Sequence, residues 1–173
     1  MGDASLTRNN LVEQTVITSA NGLLRESGSA AIDWGNTSGN GREYGWYMDL
    51  PETGERVINS AQIRGNIVFF ETFTPSQSPC DGGGTSWLMS VDLDGSNPDS
   101  SVFDTNNDGV IDSTDGLYTG AKSDDQGTGS TAFLGDGQYI NVANEDKVVK
   151  RDTDTGDSGQ RTGRLGWQEL LEQ

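Results

Sequence analysis

Three features of the sequence predict an all-β fold with an inserted calcium-binding loop. Gly supplies 24 of the 173 residues and Asn, Asp, Ser and Thr are dense throughout, a mixture that favours turns and left-handed backbone over long helices. Short apolar segments, some alternating with polar residues and some continuous, are bounded by Gly, Pro and Asp and read as strands. One twelve-residue run, Asp104 to Asp115, carries oxygen side chains at the spacing of an EF-hand-like loop. The hydrophobic share is only 31%, so the core is expected to be thin or shared with another surface.

Taken in order, residues 1–10 are polar and expected to be disordered, and a single β-rich domain is expected over 11–173. Leu11 to Thr18 alternates well enough for a strand. A loop rich in Gly, Ser and Asn follows over 27–41, interrupted by Ile32-Asp-Trp34. The aromatic segment Tyr44 to Leu50 closes at Pro51 and the turn residues Glu52-Thr-Gly54, and Glu55 to Asn59 resumes as a strand, which predicts a hairpin. Ala61 to Phe73 is the strongest core segment. Its run Ile67-Val-Phe-Phe70 is apolar at consecutive positions and is therefore expected to be covered on both faces. Thr74 to Gly84 is a loop carrying Pro75, Pro79 and Cys80, Thr85 to Leu93 a strand, and Asp94-Gly95 a tight turn. Beyond the polar stretch 96–130, Ala132–Leu134, Gln138–Val142 and Lys147–Lys150 read as short strands. The tail Gly163 to Leu171 fits a final strand or one helical turn. There is no exact repeat at a period of roughly 20 to 50 residues, which argues against a regular solenoid.

The formal charge of −16 would repel nucleic acid and anionic membranes and attract cations. With no His and a single Cys, Cys80, the usual general base and the usual zinc and copper ligands are missing. No window approaches the ~20 apolar residues of a membrane span. The opening Met-Gly-Asp-Ala-Ser has no signal-peptide character, so export implies a removed signal segment or a start inside a longer protein. Among 27 acidic residues, carboxylate pairs arise by chance and no catalytic motif stands out, so a binding or assembly role is expected and not an enzyme.

Within the loop, Asp104, Asn106 and Asp108 would supply side-chain oxygens to Ca2+. Val110 would add its carbonyl, Asp112 a direct or water-bridged oxygen, and Asp115 the closing carboxylate. Gly109 sits where the chain must turn sharply. Asp115 in place of a longer Glu makes bidentate closure harder, which points to affinities on the order of micromolar to millimolar. The flank Gly116 to Gly120 is a poor helix, so a structural clip is expected in preference to an opening sensor. Other acidic groups read as turn chemistry or solvated pairs: Asp92 with Asp94, Asp124-Asp125, and Asp152 to Asp157. Trp34, Trp46, Tyr47, Trp87 and Trp167 read as core packing ahead of a sugar-stacking platform.

Four motifs occur in a distinctive order: Tyr44-Gly-Trp-Tyr-Met-Asp-Leu-Pro-Glu-Thr-Gly-Glu-Arg-Val57, Pro79-Cys-Asp-Gly-Gly-Gly-Thr-Ser-Trp-Leu88, Phe103 to Asp112, and Gly163-Arg-Leu-Gly-Trp-Gln-Glu-Leu170. As a set, over Leu11 to Leu170, they resemble the C-terminal part of the PilC/PilY family of type IV pilus tip proteins. The resemblance implies a modified β-propeller on the outside of the cell. It also implies a calcium loop that serves pilus extension, retraction and surface attachment, with Asp104, Asn106, Asp108, Val110, Asp112 and Asp115 as ligands by motif position. Its partners would be pilus subunits or copies of itself, and a surface or host ligand, with no nucleic acid and no membrane insertion. At about 40 to 50 residues per blade the chain cannot close a seven-bladed ring, so a partial propeller with open strand edges is expected. Neighbouring copies or a pilus partner would complete those edges, as in a self-assembling filament subunit; a propeller-type enzyme is the lesser alternative.

Overall fold

The structure, a computed structural model, describes residues 6–19, 21–35, 43–77, 83–123, 128–134, 137–142 and 147–154. These residues form an all-β fold with one 3-10 turn, Arg8–Asn10, and no α-helix among them. Among the described residues no helix is long and apolar enough to cross a membrane. Twelve strands follow in chain order: β1 (Val12–Glu13), β2 (Val16–Thr18), β3 (Leu24–Ser27), β4 (Trp46–Tyr47), β5 (Arg56–Val57), β6 (Gln62–Arg64), β7 (Ile67–Pro75), β8 (Gly84–Asp92), β9 (Gly120–Ser123), β10 (Thr128–Leu134), β11 (Gly137–Val142) and β12 (Lys147–Asp152).

Seven of them make a curled antiparallel sheet in the order β2-β3-β9-β8-β7-β5, with β6 also pairing β7. The ladder from Ile67–Asp92 to Pro75–Gly84 joins β7 to β8 and is its backbone. The strands β10, β11 and β12 form a separate antiparallel meander, and β1 pairs β4 in parallel. The three short strands expected after residue 131 are therefore present.

Cross-strand register sorts the large sheet into two faces, because directly opposed residues share a side. One face carries Phe69, Leu88 and Ala121, covered by Val102, Phe103 and Phe133 to form the apolar core. Phe133 of β10 meets Phe69 with ring centroids 4.8 Å apart, and Phe103 bridges Thr153, so the meander docks on this face. The opposite face carries Trp87, Met89, Thr72 and Arg25.

Burial on both faces was expected of Ile67 to Phe70, but there it alternates: Ile67 and Phe69 are buried, Val68 and Phe70 only partly. The doubly buried run is Ser86 to Val91 in β8. It lies between β7 and β9, with the apolar core on one side and the Arg25 layer on the other. The two serines, Ser86 and Ser90, had disguised it by interrupting its apolar residues.

The expected strand Leu11 to Thr18 breaks at Gln14 into β1 and β2. The fully buried Gln14 side chain donates to the carbonyls of Ala30 (2.8 Å) and Asp94 (3.0 Å) and accepts the Ala30 amide (3.1 Å), pinning two loops. Nor does a hairpin form across residues 51–54: β4 pairs β1, whereas β5 pairs β7. The 51–55 turn instead carries acids toward Arg25. The Asp94-Gly95 turn is present, closed by Gly95 N–H to the Asp92 carbonyl at 2.8 Å. Gly95 has φ +83°, and a Cβ there would stand 2.5 Å from the Trp46 indole, so the position requires Gly. Within the N-terminal segment expected to be disordered, Arg8 forms an ion pair with Asp49 at 2.6 Å. Cys80, Asp124, Asp125, Asp157, Trp167 and the tail 163–171 lie outside the described residues.

Candidate functional site

The twelve-residue loop hangs between two anchors. Val102 and Phe103 enter the apolar core immediately before it. After it, the Thr119 amide donates to the Arg25 carbonyl (2.8 Å) and the Thr119 hydroxyl to Asn97 Oδ1 (2.5 Å). Between these points Asp104 is half-buried, Asp115 is buried, and Asn106, Asp108, Val110 and Asp112 are exposed. Gly109 adopts φ +86°, the sharp turn anticipated for it, and Asn107 at φ 60° is the one non-Gly residue with positive φ among those described.

Successive side chains cap the loop's own amides. Asp104 Oδ2 accepts the Gly109 amide (3.0 Å), Asn106 Oδ1 that of Asp108 (2.8 Å), Asp108 Oδ1 that of Val110 (2.8 Å), and Asp112 Oδ1 that of Thr114 (2.8 Å). These turns wrap the chain into an arc with oxygens along it. Asp115 draws the arc shut: Oδ1 accepts the Thr105 and Asn106 amides (2.8 and 3.3 Å) and Oδ2 accepts the Asp112 amide (2.9 Å). The Asp112 N–H, above all, holds the Asp115 carboxyl below the usual carboxylate range; burial opposes this and the Thr105 and Asn106 amides reinforce it.

Two observations bear on whether these residues suit a cation. Asp104 Oδ1 is buried and has no hydrogen-bond partner, an uncompensated negative oxygen at the base of the arc. The donor set is oxygen throughout, which suits a hard divalent ion and no soft one. Against a preformed cage, no group of three or more Asp, Glu, Cys or His is drawn close enough to hold a metal among the described residues. Asp115, the expected closing ligand, has both oxygens engaged by backbone amides as it stands.

A second cluster of charge escaped sequence reasoning. Arg25 is fully buried and pairs in a fork with Glu55, Nη1 to Oε1 at 2.6 Å and Nη2 to Oε2 at 2.9 Å. Its guanidinium carbon lies 3.8 Å from the centroid of the Trp87 ring, and Trp87 Nε1 donates to Glu52 Oε1 at 2.8 Å. The Thr72 hydroxyl also donates to Glu55 Oε1. The only sequence signal was an Arg directly after Leu23-Leu24, with acids three apart at 52 and 55. The cluster ties β3, the 51–55 turn, β7 and β8 together and presents no reacting group.

Of the aromatic residues expected in the core, Trp87 is buried. Trp46 is half-buried, its Nε1 donating to the Leu93 carbonyl at 2.8 Å. Tyr47 is half-buried too, under the Arg8 guanidinium at 4.5 Å, and its hydroxyl donates to Glu13 at 3.1 Å. Trp34 is exposed, because the 28–35 segment is a surface loop and not a strand.

The chain is similar to the type IV pilus biogenesis factor PilY1 of Pseudomonas aeruginosa. Identity to the strain PAO1 protein is 31% over 120 aligned residues, covering 62% of this chain and 10% of that protein. Identity to the strain UCBPP-PA14 protein is 26% over 193 aligned residues, covering 97% of this chain and 16% of that protein. A PilY1 homologue of Xylella fastidiosa strain Temecula1 is 39% identical over 56 residues, 29% of this chain and 4% of that protein. The chain thus spans between about a tenth and a sixth of the length of the Pseudomonas relatives it matches. No family model matches it, and no solved structure does.

Proposed function

We propose that this chain is a calcium-binding, β-rich segment of a cell-surface protein associated with type IV pili, acting in adhesion or pilus assembly and not in catalysis. The buried, unpartnered Asp104 Oδ1 carries the calcium reading: in an arc already lined by Asn106, Asp108 and Asp112, it is the oxygen that a bound cation would satisfy. The residues that would hold the ion are Asp104, Asn106, Asp108, the Val110 carbonyl and Asp112. Asp115 serves first as the staple that sets the arc and contributes to the ion only if an amide releases it. The ion would supply charge neutralisation and a clip between the core anchor at Phe103 and the start of β9. Similarity to pilus biogenesis factors supports the pilus setting. The curled antiparallel sheet with an adjoining three-stranded meander supports a partial, propeller-like architecture within a single domain over 11–173.

Calorimetric titration with Ca2+, before and after chelator treatment, tests this. One ion per chain, with a rise in melting temperature on binding, is the expected result. Heats indistinguishable from dilution at millimolar Ca2+ would remove the calcium reading.

A second reading, a self-assembling filament subunit, is favoured by one observation. Among the described residues, β2 ends the large sheet with no further strand paired to it, and Ile17 is 66% exposed.

A further inference from the structure

Where the docked meander meets the large sheet lies a cavity of roughly 290 Å³, walled by Phe69, Phe70 and Phe133 together with Asn59, Glu71 and Gln138. Among these polar groups Gln138 is out of character. It stands near the start of β11, opposite Phe133 in the β10–β11 ladder, and is only 1% exposed. Its Oε1 is buried with no hydrogen-bond partner. Burying an amide oxygen without a donor costs its hydration and returns nothing, whereas an apolar residue at 138 would have continued the phenyl wall. Glu71 is engaged, with Asn59 Nδ2 donating to its Oε2 at 3.5 Å.

The chemistry of the wall defines what it would accept. The need at Gln138 is for one donor and for no charge, because an amide oxygen is a neutral acceptor. A ligand that can only accept would leave that need unmet. An anion would meet Glu71 in the same wall and the field of a chain at −16. Phe69, Phe70 and Phe133 place three phenyl rings around one space, two of them tilted by 53° with centroids 4.8 Å apart, and a further ring gains edge-to-face contacts in such company. The volume is at the small end of the roughly 300 to 1,000 Å³ of ligand pockets, which suits a single ring and its substituent. We propose that this cavity is a binding site for a neutral aromatic ring carrying one hydroxyl donor, supplied either as a free phenol or as a tyrosine side chain of another chain. The hydroxyl would donate to Gln138 Oε1 and the ring would lie against Phe69 and Phe133. This site shares no residue with the calcium loop and does not depend on that assignment.

The test follows the Gln138 side-chain amide and the Phe133 ring by NMR while the whole chain is titrated with p-cresol, with p-tolunitrile, a ring of similar size and polarity that can only accept, and with the blocked tyrosine N-acetyl-tyrosine methylamide. Saturable shifts with p-cresol are expected, at an affinity at least about tenfold above that of p-tolunitrile, because the nitrile leaves the buried oxygen unpaired. Gln138→Met, which keeps the unbranched shape and removes the amide, should bring p-cresol down to the level of p-tolunitrile. Binding of the tyrosine amide as well as p-cresol would identify a protein side chain as the ligand, and binding of p-cresol alone a small molecule. Equal binding of p-cresol and p-tolunitrile by the unmodified chain would overturn the proposal and leave a plain apolar cavity. Absence of shifts at Gln138 with every probe would overturn it too, leaving water to satisfy the amide. Both comparisons stand on the unmodified chain even if Gln138→Met fails to fold.

Discussion

Arg25 is a fully buried charge that is held by its partners. Replacing a buried ion pair by well-packed apolar groups is often neutral, whereas removing one partner leaves an uncompensated charge. Glu55→Gln should therefore cost about 3 to 5 kcal/mol in urea denaturation, because Arg25 would lose its close fork and be left, of its two ion pairs among the described residues, with the longer 3.4 Å contact to Glu52. Arg25→Met combined with Glu55→Gln should recover much of that loss, and an additive double variant would show that the two side chains are not coupled. The sequence marked Arg25 only by its place directly after Leu23-Leu24, and a lone Arg reads as solvated. Only the ladder placing it opposite Gly120, beside Met89 and Trp87, makes it internal. The turn at Gly109 was legible for the converse reason: its pattern is local, and Gly109 has the positive φ its position required. The role of Asp115 was not legible, because the same carboxylate can close on a cation or on three amides, and spacing alone cannot choose. Asp108→Ala, at an exposed position with no part in the core, should weaken Ca2+ binding at least about tenfold by calorimetry. It should also abolish most of the calcium-induced rise in melting temperature, and a full rise in the variant would place the ion elsewhere.

At the scale of elements, what could be read was what local chemistry dictates. The Asp94-Gly95 turn and the three late strands follow from turn residues and alternation. The strand β3, with Arg25 and Glu26 at its centre, and β9, Gly-Ala-Lys-Ser, carry almost no strand propensity; β9 exists because β8 offers it a partner, and β3 because β9 in turn does. The small parallel pair β1–β4 is held by side chains more than by its two-residue ladder. Trp46 packs against Gly95, and Tyr47 bonds Glu13 beneath Arg8. Gly95→Ala must move that indole besides adopting left-handed backbone, so it should destabilise by at least about 1 kcal/mol and shift the tryptophan emission; unchanged emission would mean the indole is not in contact. Partial burial, first, and the bond to Glu13, second, raise the Tyr47 phenol above its usual value. Since the folded value is the higher one, the stabilisation of the neutral phenol is complete below the ordinary value and is lost as pH rises through the raised one. The ultraviolet difference titration between the chain and Tyr47→Phe should accordingly show a midpoint above 10.0, the ordinary value. A midpoint at or below it would mean that neither burial nor Glu13 acts on the phenol.

Among the described residues a small apolar core is combined with two sheet edges that no described strand completes, and the two facts are connected. One edge ends in β2 with Ile17 outward; the other ends in β5 and β6, where Val57, Ile58 and Ile63 are exposed. A sheet with so small an apolar interior gains by covering such side chains, and an open ladder supplies the backbone groups for doing so. The opposing force is charge: chains at −16 repel one another, over distances that salt shortens to about 10 Å or less. Calcium would lower that repulsion by two charges per ion bound and would fix the segment leading into β9, two strands away from the open edge at β2. Association should therefore increase with Ca2+ and with salt alike, in light scattering coupled to size exclusion. Ile17→Lys should return the chain to monomer in either condition while leaving the calcium stoichiometry unchanged, since the substituted edge would lose its apolar contact and present an unpaired charge. If salt promotes association and Ca2+ at equal ionic strength adds nothing, the loop stabilises the fold without governing assembly. A monomer in all conditions would mean that the edges are left to water, and that the thin core alone, braced by the Arg25 cluster, is enough to hold the sheet.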